Sequence, residues 1–198
     1  SLPVLILDPG HGGADGGAVA PDGTPESTLN LAISLRVRDL CTFLGIDTVM
    51  TRETEELDYP AEVKTIAAMK KWDTRRRVEI AESIDSPVFM SIHQNMYPSS
   101  VPRGSQVLYA RNESSRALAE LFQSRLTAAL LPENRRVPVP AGKDIYIMSH
   151  VHCTAVLVEC GFLSHPQELS LLQSADYQKK IASVLTACYL QFTEKGVL

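Results

Sequence analysis

Three apolar runs, each ending in a side chain able to bind a metal or move a proton, constrain this chain more than any other feature. Leu5-Ile6-Leu7 leads through Asp8-Pro9-Gly10 to His11. Val88-Phe89-Met90-Ser91-Ile92 ends at His93, and Ala155-Val156-Leu157-Val158 ends at Glu159. Runs this short and this continuously apolar read as strands buried on both faces, as in a parallel sheet covered by helices. Pro9 and the glycines behind it stop the first run and turn the chain. Open α/β sheets carry their sites beyond the carboxyl ends of such strands. The pattern predicts an α/β fold with a single domain and a mainly parallel twisted sheet with helices on both faces. Val4–Leu7, Val88–Ile92 and Ala155–Val158 are its expected central strands.

The segments between these runs alternate in the same sense. Thr24-Pro25 reads as an N-cap and first helical residue. Leu29, Ile33, Val37, Leu40 and Leu44 then follow a helical period that Gly45 ends. Asp47–Met50 reads as a second strand, and 52–71 as a surface excursion with a short helix over 61–70. Asp73 or Thr74 is the expected cap of a helix running to Ser83. Gln106–Tyr109 reads as a strand, Ser114–Leu130 as an amphipathic helix, and 132–143, with three prolines, as a rigid loop. Ile145–Met148 reads as a short edge strand and 176–192 as the last helix. No repeat or boundary divides the chain, so 1–198 is expected to be one catalytic domain.

With 198 residues the chain can bury a substantial core. A formal net charge of -4 argues against nucleic acid as a partner, which calls for a concentrated basic footprint. The one dense basic run, Arg75-Arg76-Arg77, has no interleaved aromatic residues. No run approaches the length of a membrane span. Cys41, Cys153, Cys160 and Cys188 form no C-x-x-C pair and read as free core thiols.

Each candidate group has a plainer explanation when taken alone. His11 could serve only the turn, and Glu26 could serve only as a favourable charge at a helix start. Together His11, Glu26 and His93 offer two imidazoles and a carboxylate, a suitable set for a catalytic zinc with one position left for water. Glu159 is then the candidate general base. His150 and His152 form a rival pair, sharing a face if 145–148 is a strand. Asp8 is a candidate to orient His11 through a hydrogen bond, and His165 reads as a turn or helix-start residue. The segments 94–104 and 132–143 are expected to border a substrate cleft.

The motifs as they stand resemble those of zinc-dependent N-acetylmuramoyl-L-alanine amidases of the amidase type 3 family. They are most similar to the spore-cortex amidases of endospore-forming bacteria. Asp8-Pro9-Gly10-His11-Gly12-Gly13 matches the first family signature; Glu26 with Asn30-Leu31 matches the second. Ser91-Ile92-His93 with Asn95 matches the third, and Val158-Glu159-Cys160-Gly161-Phe162-Leu163-Ser164 the last. The resemblance runs from Val4 to about Phe192. It implies Zn2+ held by His11, Glu26 and His93, catalysis by Glu159, and hydrolysis of the amide between N-acetylmuramic acid and L-alanine of peptidoglycan. The implied substrate is the glycan strand with its stem peptide, for which Asn95, Asn134, Arg135 and Lys143 are candidate contacts. It also implies a lipoprotein activator as partner, a role in cortex maturation and germination, and an extracytoplasmic place of action on the cell-envelope or spore-cortex side, with the export signal absent from these residues. His165, Glu82 and Gln94 depart from the family pattern without removing a proposed ligand or the base. The short stretch between Thr51 and Asp73 implies an open site, without the regulatory helix of cell-division amidases. The alternatives are another zinc hydrolase, a carboxypeptidase or a polysaccharide deacetylase, and a non-catalytic cell-wall binding module.

Overall fold

The computed structural model describes residues 2–194. Their elements are β1 (Leu5–Pro9), α1 (Glu26–Phe43), β2 (Thr48–Met50), α2 (Ile66–Glu82), β3 (Val88–Asn95) and β4 (Gln106–Tyr109). There follow α3 (Glu113–Leu130), β5 (Val139–Pro140), α4 (Tyr146–His150), β6 (Thr154–Phe162), α5 (Pro166–Gln173) and α6 (Ala175–Glu194). One six-stranded sheet runs in the order β2-β1-β3-β6-β4-β5. Strands β2, β1, β3 and β6 are parallel, and β4 joins β6 antiparallel with β5 beside it. The three apolar runs are therefore adjacent at the centre, in a mainly parallel α/β domain.

Alternation along the strands sends side chains to two cores. Leu5, Leu7, Val88, Met90, Ile92, Val156 and Val158 pack with residues of α1, α3, α5 and α6 on one face. Ile6, Phe89, Ala155 and Leu157 pack under α2 and α4 on the other. Asp8, Ser91, His93 and Glu159 continue the second set, which aims them at the α2–α4 side beyond the apolar core. The register pairs His93 with Glu159 across β3 and β6.

Several boundaries differ from the sequence reading. Glu26 is the first residue of α1 and Pro25 its N-cap, with no side-chain cap. Thr24 instead accepts a hydrogen bond from Gln173. Helix α2 is continuous and begins earlier, capped by Thr65 onto the Ala68 amide. Asp73 lies inside it because its charge is met one turn on by Arg77. Ile145–Met148 is not an edge strand; Tyr146–His150 forms a short helix whose Met148 is buried. A run that short does not distinguish strand from buried helix by periodicity. The edge is taken by Val139–Pro140, where proline's missing donor costs no inner ladder bond. Helix α5 escapes the sequence reading, although its cap is the residue read as a helix start: His165 accepts from the Glu168 amide. Cys41, Cys153, Cys160 and Cys188 are all free thiols.

Candidate metal centre

The turn after β1 is built by glycine and arginine. His11 has φ 60, a left-handed conformation that costs a non-glycine residue about 1 kcal/mol or more. Gly10 is required beneath the site, because a Cβ there would lie 2.3 Å from the His93 ring. Gly17, at φ +70, has its missing Cβ position 2.7 Å from both Glu26 Oε2 and the His11 ring. The backbone thus closes around a space that no side chain fills.

One donor atom from each of His11, Glu26 and His93 lies within 4.8 Å of the others. The two rings meet edge to face, with centroids 4.9 Å apart. His11 Nδ1 lies 2.9 Å from Asp15 Oδ2. An ionised carboxylate only accepts, so Nδ1 donates to it and Nε2 is the ring atom turned toward Glu26. His11 Nε2 is 3.4 Å from Glu26 Oε2, and His93 Nδ1 is 2.9 Å from Glu26 Oε1. Glu26 Oε1 also accepts from the Gln94 amide at 3.0 Å, and Oε2 from the Ala18 amide at 3.1 Å.

These contacts set the charge states. Burial opposes ionisation of Glu26, but the His93 hydrogen bond and charge hold its carboxyl down at about 2. Burial likewise works against the His93 cation, and the Glu26 bond overcomes it and raises that imidazole. Glu26 and His93 thus share a proton in the metal-free protein, and a cation binding there would displace it. Two imidazoles and one carboxylate, converging on a space bounded by glycine, fit a divalent metal.

Glu159 stands apart in character. Its Oε2 is buried without a hydrogen-bond partner. Burial pushes the carboxyl up to about 7; the His93 charge opposes this, and Glu26 adds to it. The carboxyl lines the same cleft as His11 and His93, a hollow of about 330 Å³ between α2 and α4. The cleft walls include Lys70, Thr74 and Tyr146.

Other candidates lie elsewhere. Asp8 does not reach His11; it accepts from Thr51, Ser91 and Arg77 in the buried floor. The orienting role expected of it falls to Asp15. His150 stacks on Tyr146 at 3.8 Å, and His152 pairs with Glu82, so neither joins the cluster. Asn95 ends β3, and its Oδ1 accepts from the Met96 amide. Asn134, a candidate substrate contact, is only 8% exposed and bonds to the Ser105 carbonyl and the Arg136 amide. Arg135 lines a hollow against α3 and Lys143 one behind α4, both distinct from the cleft.

Arg77 is a residue that sequence does not single out, since there it is only part of a basic run. It is 1% exposed and pairs with both Asp8 and Asp73 at 2.7 Å. Arg52 is similarly buried and donates to the carbonyls of Pro9, Gly10 and His11. The signal for Arg77 was available in the spacing Lys70, Asp73, Arg77, which puts three charges on one helix face.

Comparison with known proteins agrees with this geometry. The family model for N-acetylmuramoyl-L-alanine amidases, amidase type 3, matches residues 5–188. The germination-specific N-acetylmuramoyl-L-alanine amidase of Bacillus subtilis (strain 168) is 37% identical over 198 residues, spanning 98% of this chain and 81% of its own. The CwlD amidase of Clostridioides difficile, solved in complex with the GerS lipoprotein, has a TM-score of 0.92 at 34% identity, over 98% of this chain and 99% of that one. AmiC2 of Nostoc punctiforme gives 0.81 at 27% identity, over 97% of each chain. A match that spans nearly all of the sheet and all four residues of the cluster and its neighbouring carboxyl shows that the chain belongs to the amidase type 3 family and is an N-acetylmuramoyl-L-alanine amidase.

Proposed function

We propose that this domain uses zinc, held by His11, Glu26 and His93, to hydrolyse the amide joining the lactyl group of N-acetylmuramic acid to L-alanine in peptidoglycan. The observation that carries the reading is the unpartnered Glu159 Oε2, on a carboxyl that lines the same cleft as His11 and His93. Zinc bound there would polarise the scissile carbonyl and acidify a water. The protein's own part is proton handling and alignment. Glu159 takes the water's proton at its free oxygen and returns it to the leaving alanine nitrogen, as a general base and then acid. Its raised affinity for protons suits the second step, and a neighbouring cation favours the ionised form needed for the first. Asp15 fixes the His11 ring, and the Gln94 and Ala18 amides fix Glu26. Asn95, two residues past His93 at the end of β3, is the substrate contact proposed on that strand.

The biological setting follows from the relatives. The domain acts outside the cytoplasm, on wall or spore-cortex polymer, and its closely similar relatives support a role in cortex maturation or germination. Among the described residues no helix is long and apolar enough to cross a membrane. The C. difficile structure supports a lipoprotein as partner.

The test is mass spectrometry of muropeptides after incubation with zinc-loaded protein. Release of peptide with a free L-alanine amine is expected. Trimmed peptides or acetate would instead indicate a carboxypeptidase or a deacetylase, and an unchanged polymer a binding module.

A further inference from the structure

Helix α2 supplies no member of the proposed metal set, yet it grips one of them at both ends. Arg77 Nη2 donates to the His11 carbonyl, and Nη1 donates to the Pro9 carbonyl at 2.7 Å. Two turns earlier on the same helix face, Lys70 Nζ lies 3.0 Å from Asp15 Oδ1. Asp15 Oδ2 in turn holds the His11 ring. The main chain of His11 is thus tied to one end of a helical stripe and its ring, through Asp15, to the other.

This grip matters because His11 holds an uphill conformation. No glycine is present to make φ 60 free of strain, so surrounding contacts must over-determine it. A relaxed His11 would rotate its carbonyl away from the guanidinium and carry the ring off the Glu26–His93 pair. Arg77 is suited to prevent this. Asp8 Oδ1 and Asp73 Oδ2 fix the guanidinium from two sides, at 2.7 Å and 2.9 Å. Its terminal nitrogens then also reach the Pro9 and His11 carbonyls, on either side of Gly10 in one turn. Arg52 reaches the same carbonyls, but among the described residues the only carboxylate within ion-pair distance of it is Glu55, at 3.9 Å. It is held by the turn as much as it holds it.

We infer that Arg77 is a positioning residue for the metal centre, locking His11 in its left-handed conformation so that Nε2 faces Glu26 and His93. The inference rests on the reading of His11 as a zinc ligand. It assigns a function to the buried Asp8–Arg77–Asp73 cluster, which otherwise serves only to neutralise itself.

The test is zinc calorimetry on metal-stripped wild-type protein, Arg77→Lys, Arg77→Met and Leu118→Ala, beside thermal unfolding of each without metal. Arg77→Lys keeps a buried cation, but a single ammonium cannot satisfy two carboxylates and two carbonyls in a fixed fork. Its zinc affinity is expected to fall on the order of 10-fold or more, the usual effect of removing a group that orients a ligand. Leu118, fully buried among the helices on the opposite face, supplies the control. Leu118→Ala should lower the unfolding temperature and leave zinc affinity of the folded protein unchanged. Zinc binding by Arg77→Lys within twofold of wild type would overturn the inference. So would a loss of affinity in Leu118→Ala that matches its loss of stability. If Arg77→Met does not fold, Arg77→Lys decides alone. His93→Ala separates the two levels: unchanged zinc binding in that variant refutes the metal assignment itself, whereas loss there with none in Arg77→Lys refutes only the positioning role.

Discussion

Replacing Glu159 by Gln tests the proposed division of labour with three independent readouts. The variant keeps the shape of the side chain and removes its basicity. Turnover should fall on the order of 100-fold to 10,000-fold, the usual contribution of a positioned acid–base group. Zinc affinity should stay within a few-fold, because the carboxyl belongs to the wall of the cleft and not to the converging donor set. The third readout is stability without metal. The Glu159 carboxyl is pushed up to about 7 in the folded protein, from an ordinary value of 4.5. Between those values the folded state holds a proton that the unfolded state has lost. Stability contributed by the wild-type residue therefore declines as pH rises from about 4.5 to about 7, then levels off. At about 1.4 kcal/mol per unit, the full loss is on the order of 3 kcal/mol. A neutral amide escapes it, so metal-free Glu159→Gln should be more stable than wild type at pH 8 and nearly equal to it at pH 4. Urea unfolding at the two pH values, calorimetry and a turnover assay together decide the matter. Parallel loss of zinc and turnover would make Glu159 a ligand. Equal stability at both pH values would show that the carboxyl is not held in a buried, unpartnered place.

Three further expectations follow. Gly17→Ala puts a methyl group against Glu26 and His11 at a positive φ, and should weaken zinc binding on the order of 10-fold while costing about 1 kcal/mol or more in unfolding experiments. Asp8, Asp15 and Glu26 are all held below the ordinary carboxyl range, so the metal-free protein should lose stability as pH falls below about 4, read as a falling urea midpoint toward pH 2. Arg135→Ala and Lys143→Ala should leave KM for peptide-bearing substrate within about twofold, because both residues line hollows outside the cleft; a larger rise would extend the substrate path to those surfaces.

The parts of this architecture that sequence reveals are those whose pattern has one physical cause. Leu5–Leu7, Val88–Ile92 and Ala155–Val158 are continuously apolar because both faces are covered, and they are the adjacent central strands of the sheet. His11, Glu26 and His93 carry no such pattern singly; what points to His11 and His93 is their position at the ends of those strands, and to Glu26 its place at the start of the helix after the first turn. The reading weakens where one residue type serves two purposes. Asp73 suits a helix cap by type, and only its partner Arg77 makes it tolerable inside α2. Arg75-Arg76-Arg77 reads as a dense basic run, yet its last member is buried, and one of its two carboxylate partners, Asp8, lies 69 positions away in sequence. Asn134 has the polarity of a substrate contact, and its side-chain amide donates to the Ser105 carbonyl across two loops. For Arg77 and Asn134 the deciding interaction is long-range, with Asp8 and with Ser105; for Asp73 it is one turn along the same helix, where residue type alone favours a cap.

The site joins two kinds of support, and this bears on which half yields first. His93 and Glu159 are register partners on neighbouring parallel strands. Their separation is set by strand spacing, ~5 Å, and their common direction by the two-residue period of the sheet. A slip of one position would turn either side chain to the other face and into the helical core, so the fold itself specifies this pair. His11 and Glu26 have no such guarantee. One sits in a strained turn and the other at the start of a helix without a side-chain cap. Their geometry depends on polar ties: Arg52 and Arg77 to the turn carbonyls, Asp15 to the ring, and the Ala18 and Gln94 amides to the carboxylate. Ties of this kind open locally at lower cost than a central strand pair. Loosening of the centre should therefore begin at His11 and Glu26 while Glu159 and His93 stay in register, giving a domain that loses zinc before it loses its fold.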